Sequence, residues 1–531
     1  MTKMLKLLKG SASAAALAFL VAGPLAAQGT LRLDEVPVGE LDPALATDYA
    51  DSLLMFNVYD TLVLPAQGAP GHVPHLATSW EIDGATFTFT LREGVTFHSG
   101  NPMTADDVVF SIDRMKAMGA GLSFLLASVE SVEAVDPLTV RITLAEPYTP
   151  FIASLVRVPI VDKAAVMANL GEGEGEMGDW GQAYLSANSA GTGAYSVVSH
   201  NPQEETVMAL NPAYFGEVAE GAPAEVRLRY GLEPATVRAM IARGEHDISS
   251  QWLPPEVMVA LAGEGAQFFQ ESGTGAFYIK LNTQKPPLDD VNCRRALAAA
   301  FDYTTALAIT QITPDVAGGI PSTGAVPVGM FGANGPDMAL AQDMEAAQAH
   351  LANCAHNPAD HTLEISWIAE VAIEERFALL MQQNFSALGF NTEIVRVPWV
   401  LFTERVTSPE TTPHISQVFV TATTGDPDTL LFPMYHSSAA GTWQSPEYLN
   451  DPEVDALLEA GRTAADDAGR EAAYAGLNAR LMDLAPTIYG FDRNSVFAAS
   501  TRVTAPAMTD PEAAFGLDGM GFAFRLMSVT E

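Results

Sequence analysis

The alternation of apolar and polar positions is cleanest in TFTFTLREGVTFHSG, where Phe87, Phe89 and Leu91 share one face, Glu93-Gly94 interrupts, and Val95 and Phe97 resume. That period of two around a Gly turn predicts a β-hairpin. In NPMTADDVVFSIDRMKAM the period lengthens to that of a helix, and Thr104 with Asp107 forms a capping-box-like start. DPLTVRITLAEP (136–147) returns to alternation, with Val140, Ile142 and Leu144 in register. GTGAYSVVSH, ETVMALNPAYF and AEVRLRYGL read as strands, and PATVRAMIARGEHDIS as a helix stopped at Gly244. FYIKLNT (277–283) predicts a strand, DDVNCRRALAAAFDYTTAL one long helix, and ALAQDMEAAQAHLANCA another. TLEISWIA, IEERFALLMQQNFSALGF and TEIVRVPW read β-α-β, with Gly389 ending the helix. Helices over 452–465 and 469–484 precede the last strands. No internal repeat or low-complexity linker divides the chain, and interleaving of this kind predicts an α/β fold.

The first residues add an address. MTKMLKLLKGSASAAALAFLVAGPLAAQGT carries three lysines, an apolar run from about Ser13 to Val21, the breaker Gly23-Pro24 and small residues to Ala27. This predicts a signal peptide over 1–27, cut before Gln28, with no cysteine beside the cut to carry a lipid. The run is short of the ~20 residues a spanning helix needs. Cleavage would leave 24 basic and 64 acidic side chains, moving the formal charge from −37 to −40. A surface this negative repels nucleic acid and anionic membranes. The roughly 500 mature residues predict two or three packed units. The two cysteines, Cys293 and Cys354, are either bridged, as an exported chain favours, or buried free thiols.

Catalytic signatures are missing from the sequence. Gly-x-Ser-x-Gly does not occur, and the ten histidines show no His-Glu-x-x-His spacing. Gly173-x-Gly175-x-x-Gly178 mimics a dinucleotide fingerprint, but no strand precedes it and its glutamates would repel a pyrophosphate. Gly425-Asp426-Pro427-Asp428 offers two carboxylates, yet positions i and i+2 do not face each other on a helix. The better reading is Asp426 as N-cap, Pro427 in the first turn and Asp428 favoured by the helix dipole. A secreted hydrolase remains the rival class, without a nucleophile or metal set to support it.

Five ordered motifs carry a resemblance. LDPALATDYADSLLMFNVYDTLV (41–63), LREGVTFHSGNPMTADDVVFSIDRM (91–115), GTGAY (191–195), FYIKLNTQKPPLDDVNCRRALAAAFD (277–302) and GDPDTLLFPMYHS (425–437) stand in the order seen in one family. The chain resembles the exported solute-binding proteins of ABC importers, in the dipeptide/oligopeptide/nickel-binding class. The resemblance implies a two-lobed periplasmic-binding-protein clamp with an extra subdomain in the first lobe. Lobe I would comprise 28–275 plus 491–531, with the subdomain near 70–190, and lobe II 276–490. It further implies capture of a peptide or peptide-sized organic solute, delivery to permease subunits with their ATPases, no cofactor, no covalent chemistry and a monomer.

The family's peptide binders carry an aspartate for the α-ammonium three residues before the acidic-proline pair, where this chain has Thr423. The loop in which dipeptide binders hold an arginine for the carboxylate corresponds to 318–338, which contains no Arg or Lys. Both departures weigh against dipeptides and leave room for an opine, an oligosaccharide, a betaine or a metal chelate. The ligand contacts implied are Tyr49, Trp252, Phe277, Trp399, Thr423, Thr424, Asp426 and Trp443, which predict an aromatic-rich, charge-poor cleft. Tyr435-His436 offers a metal or metallophore contact, but a lone histidine after a helix is more often at the surface.

Overall fold

The computed structural model describes residues 29–530 except 69, 70, 174, 511, 512 and 518, so the expected signal peptide lies outside the described residues. Three larger sheets organise the chain. In the first, Thr30–Glu35 pairs in parallel with Glu225–Tyr230, followed by Glu205–Leu210 and Tyr195–Asn201. The second is antiparallel, in the order Ala77–Asp83, Thr86–Leu91, Thr139–Leu144, Val129–Asp136. The third has six strands, Gly319–Ile320, Thr487–Ala499, Gln267–Leu281, Ile415–Thr421, Thr362–Ile368 and Asn391–Val397. Its last two strands are parallel and joined by the helix Ile373–Ser386, the β-α-β unit that the sequence predicts.

The hairpin expected over 86–97 does not form. Thr86–Leu91 is a central strand, paired on both sides, while Val95 and Phe97 enter the same core from a turn. Alternation reveals which face of a strand is buried, not which strand lies beside it. The single helix expected after residue 289 also divides, into Val291–Ala300 and Tyr303–Ile309. Phe301 is extended, and Asp302 caps the second helix by accepting from Thr305 N, a local bond that competes with helix continuation. The next helix is shorter than expected, Met344–Leu351, started by Asp343. A disulfide joins Cys293 to Cys354 (Cα–Cα 5.1 Å) and ties these neighbouring helices together.

The apolar residues collect in separate cores. One surrounds the second sheet, where Phe87, Phe89, Ile112 and Val140 meet Phe151, Ile152 and Leu155. Another lies under the first sheet and includes Leu31, Val226, Phe269 and Phe497. Two more flank the six-stranded sheet, one holding Phe277, Phe377 and Phe491, the other Leu430, Leu431, Tyr474 and Tyr489. The strands Gln267–Leu281 and Thr487–Ala499 therefore run from one group of cores to the other. They pair antiparallel along their length, with the register broken twice, between Ser272 and Ala276 and between Phe277 and Tyr278. Two bodies joined by a crossing strand pair give the molecule its two-lobed architecture. No helix among the described residues is long and apolar enough to cross a membrane.

Candidate functional site

Gly425, with φ 74°, turns the chain into the helix Pro427–Tyr435. Asp426 caps that helix by accepting from Asp428 N at 2.9 Å, and Pro427 occupies its first turn. Each aspartate then meets an arginine from the helical hairpin of Pro452–Thr463 and Asp467–Leu484. Arg470 donates to both oxygens of Asp426 at 2.7 and 2.6 Å. Arg462 donates to Asp428 at 2.7 and 3.3 Å, with its guanidinium 3.4 Å from the centre of the Phe432 ring. A third donor reaches Asp428 from far away in sequence, the Tyr148 hydroxyl at 2.6 Å. Burial pushes the Asp428 carboxyl up, against the pull of Arg462. Burial, then the Asp428 charge, pushes the Tyr148 phenol up as well, so Tyr148 keeps its proton and donates it.

Beside this network lies a cavity of about 680 Å³, within the usual span for a small-ligand site. Phe124, Glu146 and Tyr148 line one side, and Thr423, Phe432 and Arg462 the other. Its two walls thus come from different cores. Glu459 also lines it, 3.6 Å from His436 Nε2. The His436 ring stacks on Phe432 at 4.2 Å and 12°. Four charged side chains in one lining correct the expectation of a charge-poor cleft.

Of the residues expected to touch ligand, Thr423 lines the cavity, and its carbonyl accepts from Arg157 Nε at 2.8 Å. Phe277 does not face it: its side chain is sealed among Phe377, Phe419 and Phe491. Thr424 is buried, with its hydroxyl 3.1 Å from that of Thr429. Asp426 is likewise buried and committed to Arg470, so neither reaches a ligand without breaking its own contacts. Trp399 meets Trp443 edge to face at 5.2 Å, and Trp443 precedes the lining residue Gln444 in sequence, while neither tryptophan itself lines the cavity. Trp252 lies elsewhere, largely exposed near Arg493, whose guanidinium is 5.6 Å from its ring. Tyr49 opens the helix Tyr49–Val58 and donates to Glu271 at 3.0 Å. The sequence reading missed Phe124, Tyr148, Arg157, Phe432 and Arg462. The one available signal was that buried carboxylates require partners, in a chain with 27 basic side chains against 64 acidic ones.

Other chemistry is weakly supported. His75 and Asp60 lie 2.6 Å apart like an acid–base couple, yet Asp60 also accepts from Thr192 and Tyr214, and the adjoining space is about 40 Å³. Asp290 lies near Cys293 and Cys354, but those sulfurs are bonded to each other.

The profile of the family described as "Bacterial extracellular solute-binding proteins, family 5 Middle" matches residues 71–442. The probable D,D-dipeptide-binding periplasmic protein DdpA of Escherichia coli is 26% identical over 478 residues, 87% of this chain and 88% of the relative. The heme-binding protein A of Haemophilus influenzae is 28% identical over 435 residues, 76% of this chain and 75% of the relative. Among solved structures, the ABC transporter substrate-binding protein CtaP of Listeria monocytogenes superimposes with a TM-score of 0.82 at 20% identity, covering 95% of this chain and all of that one. DppA of Helicobacter pylori, in complex with the peptide STSA, superimposes at 0.72 and 22% identity over 95% of this chain and 98% of its own. With these two-lobed relatives and a family match over most of its length, the chain belongs to family 5 of the bacterial extracellular solute-binding proteins.

Proposed function

We propose that the protein is the exported substrate-binding component of an ABC importer. It captures a peptide or peptide-sized organic solute between its lobes and presents it to the membrane permease and its ATPases. The observation that carries this reading is the cavity of about 680 Å³ whose walls come from different cores, in a chain where two paired strands cross between those cores. A site of that construction takes up a solute by closing over it, and affinity is set by how far ligand shifts the open–closed balance. In this reading residues 1–27 direct export, and the protein works as a monomer without turnover. Lobe I comprises 28–275 plus 491–531, with its subdomain near 70–190, and lobe II comprises 276–490. The register break between Ser272 and Ala276 supports the first of these boundaries.

Relatives named for dipeptides and a neighbour holding the peptide STSA support a peptide as ligand. A second reading, a non-peptide solute, is favoured by the neutralised aspartates. With Asp426 held by Arg470 and Asp428 by Arg462, a peptide's ammonium would have to find Glu146 or Glu459 on the cavity wall. A thermal-shift screen of the protein from Gln28 tests both. At about 100 times its dissociation constant a ligand stabilises by about 2.7 kcal/mol, a readable change in midpoint. Shifts with di- and tripeptides support the first reading, and shifts confined to opines, oligosaccharides, betaines or metal chelates support the second. Product formation without a shift would replace both with a hydrolase.

A further inference from the structure

We infer that Asp492 and Asn494 together receive a protonated amine of the solute, so that the solute class is one bearing a primary amine. The inference rests on the importer reading and adds to it a recognition point that lies off the cavity wall. Both residues belong to the crossing strand Thr487–Ala499, two positions apart and therefore on one face of it. Both are buried, Asp492 at 3% exposure and Asn494 at 9%. Asp492 Oδ2 accepts from Val328 N at 2.7 Å, whereas Asp492 Oδ1 and Asn494 Oδ1 meet no hydrogen-bond donor among the described residues. The Ser322 hydroxyl beside Asp492 is already given to the Gly324 carbonyl at 3.2 Å. Other buried aspartates of this chain are matched by a cation, Asp42 by Arg114, Asp426 by Arg470 and Asp428 by Arg462. Burial pushes the Asp492 carboxyl up to about 7, offset only by the Val328 amide and the Ser322 hydroxyl. An unmet buried acceptor costs stability, and two of them within three residues mark a place where the fold awaits a donor from outside.

The chemistry of the two open atoms selects the ligand group. Both are acceptors, one of them a carboxylate oxygen, so their complement is a cation rich in donors. Side chains two apart on a strand stand about 6.7 Å from each other. Two N–H···O contacts of about 2.9 Å nearly span that distance through a single nitrogen. A primary ammonium brings three donors and one charge. A quaternary ammonium brings no donor, and a sugar hydroxyl brings no charge. The position fits a solute held between lobes. Asn494 opposes Ser272 and Asp492 opposes Ala276, so four residue steps of one strand face two of the other and the ladder opens beside the pair. Asp492, Ala276 and Val420 stand in one row across three strands, and Thr423, three residues beyond Val420, lines the cavity. The acids of the wall itself, Glu146 and Glu459, are exposed. They attract a cation but keep their water, whereas Asp492 exchanges none.

The test compares wild type with Asp492→Asn and Asn494→Ala, each shown by native mass spectrometry to carry no bound solute. The probes are a mixed di- and tripeptide library with free amino ends, the same library N-acetylated, and the non-peptide solutes of the screen above. Wild type is expected to bind members of the free-amine library and to lose them on acetylation. For the tightest member, calorimetry should show about a hundredfold weaker binding in Asp492→Asn and about tenfold weaker binding in Asn494→Ala. A second arm needs no ligand. Asn keeps the shape and the Val328 contact but removes a buried charge, so at pH 8 the solute-free Asp492→Asn protein should melt higher than wild type. A lower melt would show that the fold itself needs the carboxylate and would overturn the inference. So would equal binding of acetylated and free probes, binding confined to amine-free solutes, or undiminished affinity in Asp492→Asn. Silence of wild type toward every probe would instead remove the importer reading, and this inference with it.

Discussion

Arg470 holds Asp426 through hydrogen bonds at 2.7 and 2.6 Å across 44 residues of chain, and both side chains are almost sealed from solvent. The same carboxylate caps the helix Pro427–Tyr435, so one side chain starts the helix and docks it on its neighbour. Replacing Arg470 by Met leaves a buried anion without its cation. The expected loss is roughly 3–5 kcal/mol in urea unfolding, largely recovered in Arg470→Met/Asp426→Asn. A loss below about 1 kcal/mol in the single variant would mean that the pair is solvated in solution.

Lys280 and Glu447 form a second sealed pair, 3.5 Å apart, with the ammonium 4.2 Å from the Tyr435 ring centre. Burial pulls Lys280 down to about 8 and pushes Glu447 up to about 7, each opposed by its partner's charge. Desolvation on this scale leaves little net stabilisation in the pair. Lys280→Met/Glu447→Leu should be neutral or more stable by about 1–4 kcal/mol, whereas Glu447→Leu alone should lose about 3–5 kcal/mol. A double-mutant cycle in denaturant measures the coupling directly.

Glu374 supplies a pH signature. It is buried, accepts from Ile368 N at 2.7 Å, and burial raises its carboxyl to about 8 against that hydrogen bond. The folded state therefore binds this proton more tightly than the unfolded chain, whose glutamate titrates near 4.5. Its contribution to stability falls as pH rises from about 4.5 to about 8, by up to about 1.4 kcal/mol per pH unit, and is level outside that window. Glu374→Gln should remove this slope from the stability–pH curve and leave the rest. An unchanged slope would show that Glu374 is ionised when folded.

The disulfide spans 61 residues of chain. In the loop-closure view a bridge of that span contributes about 4 kcal/mol, chiefly by restricting the unfolded chain. Cys293→Ala/Cys354→Ala should lower the unfolding midpoint accordingly. Added reductant should have no effect on the variant.

What could be read from the sequence was local. Asp107 reaches back to Thr104 N at 2.8 Å, Asp426 caps its helix and Gly389 ends another in the left-handed region, each settled within a few residues. The β-α-β unit was legible because its three periods follow one another directly. The site was not, because its parts are remote. Tyr148 and Asp428 are 280 residues apart, and nothing in either neighbourhood refers to the other. Phe277 misleads for a different reason. Phe277, Ile279 and Leu281 face one core while Ala276 and Tyr278 face another, so alternation cannot say which side of the strand meets ligand.

The crossing strands Gln267–Leu281 and Thr487–Ala499 are laced to each other by ladder bonds, with two breaks in register. Two separate tethers would let the lobes swivel, slide and tilt. A laced ribbon resists stretching and in-plane shear and yields to flexing, which reduces the stroke to a single degree of freedom. If the lobes close over a solute as proposed, closure along such a ribbon needs no search over orientations.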